Sequence, residues 1–173
     1  MQIAPFYHWF GAFYGTYFPD IRAKQQLVAE RLPKVYMTNV MDTGMKYDIH
    51  PKKKQIAGQR FAILAFDKVY SWRKHCAAPL VIDHRRNTEN LEISFSETNL
   101  LSLHDAIEES LTVTVAGKNV RFNVETCENR LIITINERLT NAPVTVKYQW
   151  TPYSEAKLFN ENGIPVSPFE VNL

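Results

Sequence analysis

The chain has 173 residues, 45% of them hydrophobic and 22% charged, the balance of an ordinary soluble globular protein of one domain or two small ones. That composition excludes a disordered tail, a collagen-like fibre and a disulfide miniprotein, and no apolar run approaches the roughly 18 residues that a membrane span needs. The net charge of +2 is unevenly spread: residues 1–78 hold 12 Lys and Arg against 5 Asp and Glu, and residues 79–173 hold 8 against 13. The halves therefore carry opposite signs, and the small total gives no support to nucleic-acid binding.

In chain order, Met1 to Phe6 reads as the end of a buried strand. An aromatic-rich loop follows, with Tyr7, Trp9, Phe10, Phe13, Tyr14, Tyr17 and Phe18. The opening has neither the basic region nor the apolar core of a signal peptide. After Pro19-Asp20, the residues Ile21, Leu27, Val28 and Leu32 share one broad helical face, and Pro33 ends that helix. Val35 to Val40 has the β-branched and aromatic content of a short strand. A polar loop runs from Met41 to His50, and Pro51 is placed for the first turn of a second helix. That helix is expected to run to about Tyr70 and to lie on a sheet, because Ile56, Ala57, Phe61, Leu64, Ala65 and Val69 form a wide apolar stripe. The first half thus reads as α/β.

The period changes after a boundary near Ser71–Pro79. Leu91, Ile93 and Phe95 alternate with polar residues, as do Val120, Phe122 and Val124, then Leu131, Ile133 and Ile135, then Val144, Val146, Tyr148 and Trp150. Turn residues at Gly117-Lys118-Asn119, Glu128-Asn129 and Asn141-Ala142-Pro143 punctuate these runs, so this half is expected to be an antiparallel, sandwich-like all-β unit. The α/β half shows too few strands to close a parallel sheet. Either the all-β half covers it, or the chain is the back portion of a larger protein.

Chemistry concentrates in the loop from Met41 to Pro51. In open α/β sheets, ligand sites gather beyond the carboxyl ends of the strands, which is where this loop would lie. His50 is expected at about the helix N-cap, and Asp42 and Asp48 are near enough in sequence to orient its ring. The same residues also fit an ordinary helix-start loop with an exposed histidine. His8 could line a pocket in the aromatic loop, whereas His75, His84 and His104 are expected at the surface. Lys52, Lys53 and Lys54 read as a solvated face, poorly matched to a helix dipole that prefers acids there. Cys76 and Cys127 stand 51 positions apart without metal spacing, so no zinc is expected. No serine has a nucleophile setting, and no glycine-rich loop offers an oxyanion hole or phosphate cradle.

Several blocks occur in a family order. They are Gln2-Ile3-Ala4-Pro5-Phe6, Arg22-Ala23-Lys24-Gln25, Asp42-x-Gly44, Asp48-Ile49-His50-Pro51-x-Lys53-x-Gln55 and Gly58-x-Arg60. Farther on come Val146-Lys147-Tyr148-Gln149-Trp150, Leu158-Phe159-Asn160 and Gly163-Ile164-Pro165-Val166-Ser167-Pro168-Phe169. Together they resemble the C-terminal part of the sialate O-acetylesterases, a branch of the SGNH (GDSL-type) hydrolases. The resemblance covers nearly the whole chain, and its specific parts are the Asp-Ile-His-Pro block and the terminal Gly-Ile-Pro block.

The resemblance implies that residues 1–75 are the C-terminal portion of an SGNH-type α/β/α hydrolase domain and residues 76–173 a β-rich domain. It implies removal of O-acetyl groups from sialic acids or related sugars, with no metal or organic cofactor. His50 corresponds to the general base. The family's helper acid lies three residues before the histidine, where this chain has Tyr47; Asp48 is the first choice in its place and Asp42 the second, and in some members a backbone carbonyl serves. The family's nucleophilic serine and oxyanion donors belong to an N-terminal part, so the implied partners are that part of the same enzyme and an acetylated carbohydrate. An extracytoplasmic location is implied, with any export signal on the N-terminal part. The isolated chain is then expected to be inactive. The competing expectation is a non-catalytic carbohydrate-binding or interaction module, for which the aromatics of residues 7–18 would suit sugar stacking.

Overall fold

Alternating apolar residues in the second half build two four-stranded antiparallel sheets. The computed structural model describes residues 1–8, 17–88, 90–136 and 142–173; the expected loop aromatics Trp9, Phe10, Phe13 and Tyr14, and Asn141 of one expected turn, lie outside these. One sheet has β1 (Val81–Arg86), β2 (Asn90–Phe95), β7 (Arg130–Ile135) and β6 (Phe122–Cys127) in that spatial order. The other has β10 (Phe169–Asn172), β8 (Val144–Tyr148), β4 (Leu111–Val115) and β5 (Lys118–Asn119), and a small pair joins β3 (Ser102–Leu103) to β9 (Leu158–Phe159). Register follows the pattern: Leu91 pairs with Ile133 and Ile93 with Leu131, while Val113 pairs with Val146 and Leu111 with Tyr148. Because side chains alternate across a strand, these residues all point inward and form one core between the sheets. Each fully buried Leu or Ile there contributes about 1.5–3 kcal/mol.

Two of the strands, β1 and β5, carry weaker patterns. β1 buries little and exposes Asp83, His84 and Arg85, which suits an edge strand protected from pairing with other chains. β4 and β5 are joined by Ala116 and Gly117, both at positive φ (49° and 78°), the conformation that a two-residue hairpin turn demands. In the core, the Tyr148 hydroxyl accepts the backbone N–H groups of Lys157 (2.9 Å) and Leu158 (3.0 Å). Burial pushes its pKa up to about 12.

The first half departs from the α/β expectation. It contains α1 (Phe18–Arg31) and α2 (Lys54–Lys68), and no strand among the described residues. Leu32, the C-cap of α1, is extended, as Pro33 requires of its neighbour. Met1 to Phe6 and Val35 to Val40 run near one another but form no ladder. Gln2 N–H donates to the Thr38 carbonyl (3.0 Å), but Ile3 N–H goes to Gln25 Oε1 (3.0 Å), Phe6 N–H to the Pro152 carbonyl (3.0 Å) and Tyr7 N–H to the Lys46 carbonyl (3.2 Å). Side chains and loops thus take the bonds that a sheet would need.

α2 starts three residues after Pro51 and lies on no sheet; Ile63 packs instead against Cys76, Ala78 and Ile164. An open cleft of about 510 Å³ separates Ala23 and Leu27 of α1 from Val81 of β1 and Val171 of β10. Residues 1–75 are therefore not the C-terminal portion of an SGNH-type α/β/α hydrolase domain. They are two helices and extended segments tied to an antiparallel β structure, and the sandwich-like content expected of residues 76–173 is present.

Polar anchors hold the first half. Arg22 on α1 is fully buried and its guanidinium donates to the carbonyls of Thr151 (2.9 Å) and Pro152 (2.8 Å), with longer contacts to those of Ile3 (3.4 Å) and Ala4 (3.5 Å). Burial brings its pKa down to about 10, and it stays charged at neutral pH. Four carbonyl dipoles replace the carboxylate that usually accompanies a buried arginine.

Candidate functional site

The loop between Val40 and α2 is built on a floor of buried residues. Asn39 Oδ1 accepts Met41 N–H (3.2 Å) while its Nδ2 donates to the Pro165 carbonyl (2.8 Å), so one amide joins the loop to the C-terminal segment. Thr43 closes a turn on the Val40 carbonyl through both N–H (3.1 Å) and Oγ1 (3.0 Å). Gly44 lies against Pro5, and a Cβ there would collide with the Pro5 carbonyl oxygen; only glycine allows the two segments to approach so closely.

Asp42, one of the two acids offered for His50, is taken by Arg60. The fork of Arg60 on α2 grips both carboxylate oxygens (2.5 and 2.7 Å) and also donates to the carbonyls of Asn39 (3.1 Å) and Gly163 (3.2 Å). This bidentate pair has few degrees of freedom. It fixes the angle between α2, the loop and the C-terminal segment.

Asp48 stands beside His50. Its Oδ1 accepts the backbone N–H of His50 (2.8 Å) and lies 3.4 Å from the ring Nδ1. The backbone N–H is the main reason the Asp48 carboxyl is held below the usual range, with His50 and Lys52 adding to it. His50 is not the helix cap: it precedes Pro51 and Lys52, and Lys53 is the N-cap of α2. The His50 side chain is 70% exposed. Such an imidazole, with Nδ1 beside a carboxylate, can accept a proton at Nε2 from an arriving hydroxyl.

The other histidines divide. The His8 ring meets Tyr47 edge-on (5.3 Å) just before Asp48. His84 is exposed on β1, as expected. His104 stacks on Phe159 (4.7 Å). His75, expected at the surface, is half-buried with Nδ1 2.6 Å from Glu161 Oε1.

Lys52, Lys53 and Lys54 are exposed, and Lys53 and Lys54 border an open groove of about 520 Å³ with Ile49, Val40 and Ile3. No group of three or more metal-ligating side chains occurs among the described residues. The roles of Arg22 and Arg60 are the main features absent from the sequence reading. Each lies in a block quoted for the resemblance, but a lone arginine within a helix carries no mark of burial.

No family model matches this chain, and none of the curated proteins matches it. The fold itself is shared with part of a solved carbohydrate esterase. That structure is the crystal structure of a novel carbohydrate acetylesterase from Xanthomonas citri, similar over 98% of this chain with a TM-score of 0.81 at 24% identity. The chain spans only 40% of that protein's length. The likeness is one of fold.

Proposed function

We propose that this chain is one part of a carbohydrate acetyl esterase, in which His50 is the general base and Asp48 its orienting acid. The observation that carries the reading is the fold likeness over 98% of the chain to a carbohydrate acetylesterase, and the Asp48–His50 pairing at a solvent-facing loop agrees with it. The nucleophilic serine and the oxyanion donors are assigned to polypeptide outside these 173 residues. With Asp48 beside Nδ1, Nε2 takes the proton as the serine oxygen attacks the acetyl carbonyl. The same proton passes to the departing sugar hydroxyl, and water then attacks the acyl-serine with His50 again as base, releasing acetate. Asp42, gripped by Arg60, acts on the shape of the loop and not on the ring. Sialic acid is the sugar named by the sequence resemblance; acetylated xylan is the alternative substrate in the same assay.

The test is acetate release by an enzyme containing both this chain and the serine-bearing part. His50→Ala should lower kcat by about 10³-fold or more, while Asp48→Asn should lower it less and leave KM nearly unchanged. Turnover within a few-fold of the parent in the His50 variant would remove His50 from the mechanism. The 173-residue chain alone should release no acetate.

A further inference from the structure

We propose that the groove beside His50 seats an apolar polypeptide segment bearing carboxylates, supplied by the remainder of the enzyme. This rests on the reading that the nucleophile lies outside the 173 residues, and it names the chemistry of the piece that brings it.

Four observations converge on that occupant. The first is the wall of the groove: Ile3, Phe18, Val40, Ile49 and Ala57 line a space of about 520 Å³, enough for a few side chains of a bound segment. A freely soluble anion would leave this apolar wall wet, and the hydroxyls of a sugar would find few partners on it. The second is charge. Lys53 and Lys54 line the same groove and Lys52 adjoins them, and none of the three forms an ion pair among the described residues. Carboxylates on the occupant complement them.

The third observation concerns α2, which begins without an acid in its first turn and without a side-chain cap at Lys53. Three lysines at the positive end of a 15-residue helix repel the dipole, and an arriving carboxylate relieves both costs. The fourth is Gln2, which lines the groove at 1% exposure: its Nε2 donates to the Arg22 carbonyl (3.0 Å), and its Oε1 is buried without a partner. Once the Gln2 side chain turns toward the groove, a peptide N–H supplies the donor this oxygen lacks. The solved acetylesterase has more than half its length beyond the part this chain matches, so an enzyme of that size has such a segment to give. Ile49 adjoins His50, and a segment seated there delivers its neighbours to the ring.

The experiment uses the 173-residue chain and four defined probes: a short peptide alternating Leu and Glu, its Leu and Lys counterpart, polyglutamate, and polygalacturonate. Binding is followed by fluorescence anisotropy, with sedimentation of the chain alone run in parallel. The Leu/Glu peptide should bind about tenfold or more tighter than the other three probes, and weaken about tenfold in the Lys53→Glu/Lys54→Glu double variant and at about 0.5 M salt. Ala57→Arg, which fills the groove from a half-buried helix position, should give a comparable loss while circular dichroism stays unchanged. Equal binding of the Leu/Lys peptide, of polyglutamate or of polygalacturonate would overturn the proposal. So would self-association of the chain that is abolished by Ala57→Arg, because the occupant would then be a second copy. The outcome is separable from the esterase reading: peptide binding with no acetate release in the assembled enzyme would sink only that reading, and acetate release without peptide binding would sink only this one.

Discussion

The two halves of this chain are held together by different physics. From β1 onward the structure is closed by apolar packing: residues such as Leu91, Ile93, Leu131, Ile133, Val144 and Val146 are completely buried in one cluster. Before β1, large apolar side chains stay exposed, among them Val28, Leu32, Phe61, Val69, Tyr70 and Trp72. The segments there are fixed by buried polar groups whose partners lie in the other half: Arg22 on the carbonyls of Thr151 and Pro152, Asn39 on Pro165, Arg60 on Gly163. The β half supplies its own reason to fold. The helical half borrows much of its reason from the β half, and the loop carrying His50 is positioned by that loan.

The largest consequence concerns separation. Expressed alone, residues 79–173 should retain a β-rich circular dichroism spectrum and a cooperative thermal transition. Residues 1–78 alone should show neither, because their anchors lose their acceptors and no apolar core replaces them. A well-dispersed amide spectrum from the isolated 1–78 segment would break the comparison.

Next in size are single substitutions. Arg22→Met removes the charged donor to the part-buried carbonyls of Thr151 and Pro152, a loss of about 1.5–3 kcal/mol. Ile133→Ala opens a cavity at the centre of the sandwich and should cost about 2–5 kcal/mol. The distribution separates them. Hydrogen exchange in the Arg22 variant should rise in residues 1–8 and α1 while β2 and β7 stay protected; in the Ile133 variant protection should fall throughout. Uniform loss in both variants would mean that the halves unfold as one unit.

The β half was largely legible in the sequence because a strand with one buried face writes its period into the chain: β2, β6, β7 and β8 all lie where alternation placed them. β1 was not, since a six-residue edge strand with most side chains in solvent has no buried face to announce it. Both helices were legible as helices, yet the described residues hold no parallel sheet beneath them. Short apolar runs such as Val35 to Val40 read as strands only if their N–H and C=O groups find a ladder, and here the N–H groups of Ile3, Phe6 and Tyr7 go to Gln25, Pro152 and Lys46, while that of Gln2 reaches the Thr38 carbonyl. Of the candidate site, spacing offered both Asp42 and Asp48 to His50, and the structure brings Asp48 to the ring. The Asp42–Arg60 grip was not legible, because Arg60 stands 18 positions on, within the following helix.

A smaller effect should appear in acid. Glu161 ties the two halves at a further point: its carboxylate meets His75 Nδ1 (2.6 Å), Thr98 Oγ1 (2.8 Å) and Asn99 N–H (3.3 Å). Burial pushes its pKa up, but its own backbone N–H and those three donors outweigh burial and bring it down to about 2 from 4.5. A carboxyl with a depressed folded pKa contributes stability that is fully present above the unfolded value and lost as pH falls through the folded one. The contribution of Glu161 should therefore be whole at neutral pH and fade between about pH 4.5 and pH 2. Glu161→Gln should lower the melting temperature at pH 7 and flatten the acid dependence in that window. If the parent and variant curves ran parallel down to pH 2, the tie would carry no weight.

The smallest expected effect is on the residue assigned the chemistry. His50 stands 70% exposed, and its backbone N–H, not its ring, makes the 2.8 Å bond to Asp48 that shapes the turn. An alanine keeps that N–H. His50→Ala should thus change stability by no more than about 0.5 kcal/mol, the scale of a surface substitution away from buried contacts. Asp48→Ala, by contrast, takes away the acceptor of that turn and should lower the melting temperature more than His50→Ala does, as losing a capping oxygen does. This ordering separates position from function. A histidine kept for packing would register in the melting temperature. One kept for proton transfer would leave the melting temperature alone and register only in acetate release by the assembled enzyme. A drop of several degrees in the His50→Ala melting temperature would place the ring among the anchors of the helical half and take away its freedom to act as a base.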